Sequence, residues 1–476
     1  MRHSFKMIVG TVLAASACRE SLIDARPEPG IRFTAGVGST DTIQATPVQA
    51  LNVRVNDADG KPAPGAVVRF EAVPSAVGSL PSMTVGTLAS TPHLQLAVDT
   101  TDASGMASIL VRFGIIAGPG KIVVTVPALG FQDTARYTVT PGAAVRTDIT
   151  PRDTVVYLDG SVTLRVTVVD RFGNWRPEVP TLTGSGGVSV SGQVVRSSSF
   201  GRHVLRAAFP GVAADSAYVT ALPRGRLAAV RGYMGSTLMI TDLDGSNRVF
   251  VPMGGTILGI DWAPDGRVVA SAWGPNNALP VLQAITPSGQ VSPFLTGGSK
   301  SDGGETHPVF SADGRTVFFS GLIGNINNAR TLWRAFSDGT RGEPFSIPLN
   351  LPWGGVFGPS PDGTRLAHAG RIYNLLSQGS TFLPLPGSAS MRWSPVEDLI
   401  AYNNHSALGV IRPNGGDHRV FSTNYTGSGD LSVDWSGDGK YLVFRSGSGS
   451  LELVEVASGA HVVVPFTSDF TQGAFK

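Results

Sequence analysis

Short runs of alternating apolar and polar residues, separated by turn-forming residues, follow one another along most of the chain. Examples are residues 51–55, 161–169 and 202–209. A period of two places successive side chains on opposite faces of a strand. Clusters of Gly, Asp and Pro interrupt these runs every ~8 to 12 residues, which is the spacing of strands in β-sandwiches. No helical period is present in this region, so the pattern predicts an all-β protein.

One phrase recurs five times in the second half of the chain. It reads WAPDG at 262–266, FSADG at 310–314, PSPDG at 359–363, WSPVED at 393–398 and WSGDG at 435–439. Each copy is a strand end, a tight turn and a strand start, because Asp-Gly accommodates the positive φ angles of such turns. A unit that recurs every ~40 to 50 residues is typical of a β-propeller.

When its copies are aligned, the phrase divides residues 223–476 into six predicted blades. The first begins near residue 224, and the others cover about 254–296, 303–349, 353–386, 387–423 and 427–467. Residues 470–475 match the strand that precedes the phrase elsewhere. We expect this last strand to pair with the first blade and close the ring, which removes both open sheet edges. The aromatic residue before each turn is expected to pack between blades.

The phrases WAPDG, WSGDG and TDLDGSN at 241–247 resemble the WD40-like repeats of the TolB propeller family, over roughly residues 224–476. The resemblance implies the propeller fold. The same repeat occurs in periplasmic binding proteins, in propellers attached to peptidases, in oligogalacturonate lyases and in envelope lipoproteins. The fifth blade departs from the pattern, since Val396-Glu397-Asp398 replaces Asp-Gly. The sequence therefore does not define the shape of its turn, although the blade itself is still predicted.

Two further modules are predicted before the propeller, at residues 33–143 and 144–222. The phrases VRVNDADGKPAPGAVVRFEA, TDASGMASILVRF and GKIVVTV resemble bacterial Ig-like modules of the invasin and intimin type, and residues 161–174 repeat part of the pattern. The resemblance implies a stalk, although such modules also form adhesive faces. Their turn aspartates could be calcium ligands, but we favour turns closed by the Asp side chain. They are Asp57, Asp59, Asp102 and Asp170.

The first residues have the composition of a secretory signal. A basic start at residues 2–6 precedes an apolar run too short to anchor the chain in a bilayer, so residues 1–17 are a predicted signal peptide. LAASAC at 13–18 resembles the lipobox of bacterial lipoproteins. The resemblance implies a lipidated Cys18, a tether over 18–32 and the cell envelope, and Arg19 points to the outer membrane. The alternative is an ordinary signal peptide with an unmodified thiol.

The charge balance and the cysteine content restrict the classes of partner and cofactor that we expect. Without Arg2 and Lys6 the chain has 35 basic against 35 acidic side chains, which argues against nucleic acid as a partner. Cys18 is the only cysteine, so an intrachain disulfide and Cys-based zinc sites are excluded. We therefore expect no cofactor, and a partner that is an envelope protein or a glycan.

Polar residues precede the aromatic of each phrase by one, three or five positions, which places them on one strand face. We expect this face to line the propeller channel, as the candidate binding surface. Glu305, His307, Asp430 and Asp434 could also hold a divalent ion, an interpretation we rank below ligand binding and simple solvation. The candidate binding residues are Asp261, Glu305, His307, Arg392, Asp430, Asp434 and Gln472.

The chain lacks the sequence motifs of a hydrolase. Neither G-x-S-x-G nor H-E-x-x-H occurs. We therefore expect a non-catalytic envelope lipoprotein that presents the propeller on a stalk as a platform for a protein or glycan. Two alternatives stay open, namely a structural envelope scaffold of the TolB type and a metal-dependent polysaccharide lyase that uses the channel.

Overall fold

The computed structural model describes residues 28–74, 82–87, 94–232, 235–274, 278–297, 303–322, 330–345, 356–385, 390–404, 407–422 and 432–476. Within these ranges the regular structure is β-strand, apart from one 3₁₀ turn at Pro127–Leu129, so the all-β prediction is confirmed. No helix in the described part of the chain is long and apolar enough to cross a membrane. The chain divides into two compact units, Met1–Arg146 with Thr167–Val179, and Thr147–Val166 with Pro180–Lys476.

The first unit is built on two sheets. One has the strand order β1-β3-β7-β5 and the other the order β2-β9-β8-β4-β6. The strands are β1 Gly30–Ala35, β2 Thr40–Thr42, β3 Leu51–Asn56, β4 Val67–Val73, β5 Met83–Gly86, β6 Leu96–Thr100, β7 Met106–Phe113, β8 Gly118–Val126 and β9 Phe131–Thr140.

One core lies between these two sheets, because alternate residues of each strand point inward. Val53 of β3, Phe113 of β7, Phe70 of β4 and Val124 of β8 are all buried in a single apolar cluster. Their neighbours along each strand are partly or fully exposed, as in β4, where buried and exposed positions alternate. The period of two in the sequence therefore identifies the buried face correctly.

Residues 167–179 belong to the first unit, whereas the sequence boundary placed them in the second module. Hydrogen bonds explain the difference. The Asp170 carboxylate accepts from the backbone N–H of Gly142 at 2.9 Å, and Asn174 accepts from Ala117 N–H at 2.9 Å and donates to the Ile115 carbonyl at 2.7 Å. These bonds join a loop to partners about 30 to 60 residues earlier, which local sequence patterns do not reveal.

The turn aspartates of this unit hold their own turns. Asp57 Oδ1 accepts from the N–H groups of Asp59 and Lys61, and Asp102 Oδ1 accepts from those of Ser104 and Met106. Asp170 Oδ1 accepts from two N–H groups of its own turn in the same way. Each of these three aspartates therefore closes its own turn, as the sequence predicted.

Nine strands follow between residues 144 and 222. Seven of them form, within the second unit, a sheet of order β11-β18-β17-β14 and a sheet of order β12-β16-β15, and the other two form the two-stranded sheet β10-β13. One core contains Leu164, Val195 and Leu205. The strands are β10 Ala144–Thr150, β11 Asp153–Tyr157, β12 Val162–Thr163, β13 Arg165–Asp170, β14 Thr181–Gly184, β15 Val188–Ser191, β16 Val194–Ser197, β17 Gly201–Ala208 and β18 Asp215–Leu222.

The remaining strands, in the described part of 226–475, form six four-stranded antiparallel sheets. The first has the order β21-β20-β19-β42, and the other five each contain four consecutive strands. They are β19 Arg226–Arg231, β20 Thr237–Asp242, β21 Val249–Pro252, β22 Ile257–Trp262, β23 Val268–Ala272, β24 Val281–Ile285, β25 Val291–Pro293, β26 Thr306–Phe310, β27 Thr316–Leu322, β28 Arg330–Phe336, β29 Glu343–Pro344, β30 Phe357–Pro359, β31 Arg365–His368, β32 Arg371–Asn374, β33 Ser380–Phe382, β34 Ser390–Trp393, β35 Ile400–Asn403, β36 Leu408–Ile411, β37 Arg419–Ser422, β38 Val433–Trp435, β39 Tyr441–Arg445, β40 Leu451–Glu455, β41 His461–Val463 and β42 Phe470–Phe475.

These six sheets contact one another in a closed cycle, which we call the ring. The strand that starts each sheet contacts its counterpart in the next, from β22 through β26, β30, β34 and β38 to β42, and β42 returns to β22. β42 pairs antiparallel with β19, with Leu227 opposite Phe475 and Ala229 opposite Gly473. The sequence predicted this pairing of the last strand with the first sheet, and the register confirms it.

The module of β11–β18 packs directly against the ring within the second unit. Phe200 lies 5.3 Å from Tyr441 between ring centroids, and Leu222 shares a buried cluster with Leu227 and Phe475. Tyr157 is partly buried at the same junction. Contiguous apolar burial of this kind holds the module and the ring together as one body.

Candidate functional site

The aromatic residues that precede the turns lie at the seams between adjacent sheets. Trp262 and Trp435 are 8% and 5% exposed. The Trp262 Nε1–H donates to the Ala474 carbonyl of the first sheet at 3.0 Å, and the Trp435 Nε1–H donates to the Arg392 carbonyl of the fifth sheet at 3.0 Å. The predicted packing of these rings between sheets is confirmed, and their large apolar area stabilises the seams.

The repeated Ser-x-Asp-Gly turns satisfy their own polar groups. In the third sheet Ser311 Oγ donates to Asp313 Oδ1 at 2.6 Å, and the same oxygen accepts from Arg315 N–H at 3.0 Å. The hydrogen bond from Ser311 lowers the pKa of Asp313. The turns at 360–363 and 436–439 repeat this arrangement. Asp in these turns therefore serves the fold.

The turn of the fifth sheet has a different shape, as its sequence indicated. Ser394 Oγ accepts from the N–H groups of Val396 and Glu397, both at 3.3 Å. No residue between 394 and 398, all of which the structure describes, has a positive φ. Asp398 instead accepts from Trp393 Nε1–H at 3.1 Å and from Arg365 at 2.9 Å. Its carboxylate links two sheets rather than closing a turn.

Three of the predicted binding residues come together at the centre of the ring. Asp261, Arg392 and Asp434 each directly precede a tryptophan at a seam. Arg392 Nη1 lies 3.5 Å from Asp261 Oδ2, and Arg392 Nε lies 3.7 Å from Asp434 Oδ1. The three side chains are 9%, 12% and 13% exposed for Arg392, Asp261 and Asp434 respectively. We call them the charged cluster.

Backbone N–H groups hold both carboxylates of the charged cluster in place. Asp261 Oδ1 accepts from Trp262 N–H at 2.9 Å, and its Oδ2 accepts from Phe310 N–H of the next sheet at 2.8 Å. Asp434 Oδ2 accepts from Phe475 N–H of the closing strand at 3.1 Å. Each carboxylate thus connects its own sheet to the neighbouring one.

Burial changes the acidity of these two carboxyl groups. It raises the pKa of Asp434 to about 7, against the opposing effect of Arg392, and the negative charge of Asp261 acts in the same direction as burial. Burial also raises the pKa of Asp261. One guanidinium between two carboxylates cannot neutralise both, so the pair is expected to bind one proton in a coupled titration as the pH falls.

This titration predicts a pH dependence of stability. A carboxyl group whose pKa is raised by folding contributes stability that is fully present below its unfolded value, and this contribution is lost as the pH rises through about 7. We expect the free energy of unfolding to fall between pH 4 and 7 by at most about 1.4 kcal/mol per pH unit for this proton. Urea denaturation across this range measures it. The Asp434→Asn variant should show a shallower slope, and an unchanged slope would contradict the assignment.

A cavity of about 350 Å³ leads to the charged cluster. Its wall contains the aromatic residues that precede the turns, and the turns themselves. All three members of the charged cluster also line the cavity. The aromatic lining residues are Trp262, Phe310, Trp393, Trp435 and Phe475, and prolines at the turns complete the wall. We call this space the turn-side cavity. Its volume is within the range of small-ligand sites.

A second, smaller cavity lies on the other side of Arg392 and Asp434. It measures about 30 Å³ and is also lined by His307, Ser432 and Gln472. Among the described residues, the buried atoms Ser432 Oγ and Arg392 Nε have no hydrogen-bond partner. A space of this size, lined by these polar atoms among mainly apolar residues, has room for one water molecule. His307 has a φ of 51°, which turns the backbone at the edge of this space.

The other predicted site residues lie elsewhere. Glu305 Oε2 accepts from Leu282 N–H at 2.9 Å, and Glu305 lines a separate cavity with Val281 and Val291. Asp430 and Cys18 fall outside the described residues. Among the residues that the structure describes, no group of three or more His, Cys, Asp or Glu side chains is arranged to hold a metal ion.

Sequence reasoning missed Lys476, which lies at the mouth of the turn-side cavity. Its Nζ donates to the carbonyls of Ala263 at 3.2 Å and Pro264 at 3.5 Å. The repeated Asp-Gly phrase contained a signal for this residue. Lys476 follows Phe475 at the position that Ser311 and Ser436 occupy after their own aromatic residues. It also missed Arg330, which is 7% exposed and donates to the Gly304 carbonyl at 2.7 Å.

Comparisons with known proteins found one family and several solved structures. The family described as the anaphase-promoting complex subunit 4 WD40 domain matches residues 391–469. The crystal structure of TolB from Acinetobacter baumannii is similar with a TM-score of 0.43 and 14% identity, over 70% of this chain and 97% of that one. A candidate TolB from Agrobacterium tumefaciens gives a TM-score of 0.37 and 15% identity, over 53% and 98%. The search of curated proteins gave no match. A WD40-type segment is thus indicated over residues 391–469, which is less than half of the chain.

Proposed function

We propose that this chain is a non-catalytic binding protein of the cell envelope, and that its ring recognises a segment of a partner protein. The observation that carries the proposal is the turn-side cavity, which ends on the charged cluster. Charged side chains are costly to bury, and a cavity that leads to such groups is a natural place for recognition. In this proposal the ring is a six-bladed β-propeller, each four-stranded sheet being one blade.

The hydrogen bonds of the cluster favour binding over catalysis. A general acid or base has to exchange protons with a substrate, and its carboxylate needs free access to the reacting atoms. Both oxygens of Asp261 accept from backbone N–H groups at the seam. Asp434 is tied to the closing strand by Phe475 N–H. These carboxylates maintain the geometry of a recognition surface.

The rest of the proposal concerns how the ring is presented. We take the two-sheet module of the first unit and the module of β11–β18 as Ig-like domains that form a stalk. The apolar junction of Phe200 and Leu222 with the ring supports a rigid connection at the end of that stalk. A lipid on Cys18 would attach the stalk to a membrane, as the LAASAC segment indicates.

Site-specific photo-crosslinking in the producing cells tests the recognition role. A photoreactive phenylalanine at Ala312, which lines the turn-side cavity, is expected to form a covalent adduct with one partner protein. The matched control carries the same residue at Thr381, an exposed position on the outer strand β33. The Ala312 adduct should weaken at least tenfold when Asp434→Asn is added. Equal adducts from both positions, or an Ala312 adduct insensitive to Asp434→Asn, would refute the proposed site.

A further inference from the structure

The walls of the turn-side cavity carry a surplus of negative charge. At its buried end two carboxylates, those of Asp261 and Asp434, face a single guanidinium, that of Arg392, whereas the other charged lining residues, Asp313 and Lys476, are exposed to solvent. Inside a protein the low effective dielectric strengthens such an imbalance compared with water. An uncompensated buried carboxylate is costly unless a proton or a positively charged group neutralises it. The cavity therefore favours a cation as its occupant.

Asp434 is the carboxylate with the weakest compensation. Its Oδ1 lies 3.7 Å from Arg392 Nε, which is beyond hydrogen-bond distance, and that buried Nε makes no hydrogen bond to any residue that the structure describes. Arg392 is shared with Asp261, to which its Nη1 lies closer, at 3.5 Å. The guanidinium, nine-tenths buried, thus leaves Asp434 with room for a second cationic donor from the cavity side.

The mouth of the cavity already accommodates an ammonium group. Lys476 Nζ donates to the carbonyls of Ala263 and Pro264 and lies 5.6 Å from the centroid of the Trp262 ring. Backbone carbonyls and an aromatic ring are the partners that ammonium groups use in proteins. The wall of the cavity is therefore chemically suited to a positively charged side chain.

The same walls are poorly suited to a sugar. Glycan sites present an open aromatic face on which the sugar ring stacks, but Trp393, Trp435 and Phe475 are each only 5% exposed. Their faces are used at the seams between sheets. The cavity still presents apolar surface, including prolines, together with the charged side chains of Asp261, Asp434 and Arg392, and these charged groups select for a charged ligand.

We infer that the turn-side cavity binds the side chain of a lysine or arginine presented by a partner peptide, with Asp434 as its main counter-charge. This inference rests on the proposed function and adds the chemistry of the ligand. It makes Asp434 and Asp261 the residues that set specificity, and it gives Lys476 the role of a competing cation at the mouth.

The test uses the mature chain and two peptides, Ac-Ala-Lys-Ala-NH₂ and the same peptide with its lysine Nε-acetylated, at pH 8. Binding is followed by NMR of the indole N–H signals, which Trp262→Phe and Trp435→Phe assign. The lysine peptide should shift the Trp262 and Trp435 signals in a saturable manner. The acetylated peptide, which lacks the charge, should bind at least tenfold more weakly.

Three variants are expected to change the affinity for the lysine peptide in different ways. Asp434→Asn should weaken the binding of the lysine peptide at least tenfold. Lys476→Met should strengthen this binding severalfold, because the substitution removes a competing cation. Glu343→Gln removes one negative charge from an exposed ion pair on an outer strand and should change binding less than twofold. Thermal melting of each variant verifies that the ring is folded, since the amide oxygen introduced by Asp434→Asn can still accept from Phe475 N–H.

The outcomes separate this inference from the proposed function. Equal binding of both peptides, or no effect of Asp434→Asn in a folded variant, overturns the cation inference. If the lysine peptide does not bind while the Ala312 adduct still forms, the cavity recognises a partner through other chemistry. In that case the cation inference is wrong and the proposed function stands. If neither peptide nor partner contacts the cavity, both are wrong.

Discussion

Replacement of Arg392 by methionine is expected to lower the free energy of unfolding by about 3–5 kcal/mol at pH 8. Methionine retains an apolar stem of similar length, so the main loss is the positive charge between Asp261 and Asp434. Two buried carboxylates then face each other without a counter-ion. Urea denaturation followed by tryptophan fluorescence measures the change, since the affected seams contain Trp262, Trp393 and Trp435.

A matched variant and a second pH make this expectation specific. Arg334→Met breaks the exposed ion pair with Glu343, whose side chains are 47% and 45% exposed, and should cost about 0–1 kcal/mol. At pH 5 the penalty of Arg392→Met should shrink, because burial raises the pKa of Asp434 to about 7 and also raises that of Asp261, so the pair carries less negative charge than at pH 8. Equal losses for the two arginine variants, or a penalty that grows at pH 5, would show that the charged cluster does not behave as described.

Deletion of residues 470–476 is expected to abolish the cooperative unfolding of the ring. The deleted strand β42 completes the first sheet and contacts the first strands of the second and sixth sheets. It also removes Phe470 and Phe475, both 5% exposed, and loss of a buried Phe side chain alone costs about 3–5 kcal/mol. The total is comparable to the roughly 5–15 kcal/mol that stabilises a typical domain. Differential scanning calorimetry of the deleted and the intact chain measures the transition.

Addition of the missing strand provides the control for the deletion. A synthetic peptide of residues 468–476, supplied in excess, should restore part of the cooperative transition by pairing with β19. A peptide of the same composition in scrambled order should restore nothing. A deleted chain that unfolds as cooperatively as the intact one would mean that β42 does not hold the ring together.

The sequence predicted the ring well because its signals are local. The Asp-Gly phrase, the aromatic before it and the alternation of the strand all depend on neighbouring residues, and they placed Trp262, Trp435 and the pairing of residues 470–475 correctly. The same alternation selected Asp261, Arg392 and Asp434 as one group. Side chains at equivalent positions of successive sheets converge when the sheets form a ring, so a periodic pattern carries three-dimensional information.

Other features depended on contacts that no local pattern encodes. Glu305 fits the same strand pattern as His307, yet its carboxylate accepts from Leu282 N–H of the neighbouring sheet. The assignment of residues 167–179 to the first unit depends on the bonds of Asp170 and Asn174 to Gly142 and Ala117. Such bonds depend on how the elements pack, which is decided by the whole fold.

The composite first sheet also has a consequence for biosynthesis. β19 leaves the ribosome about 240 residues before its partner β42, which at about 5–20 residues per second corresponds to roughly 12 to 50 s of translation. During that interval β19 presents an unpaired edge, to which strands of other nascent chains could add. Slow translation of the last segment would prolong this exposure, so a chaperone that shields residues 226–231 would benefit the yield of folded protein.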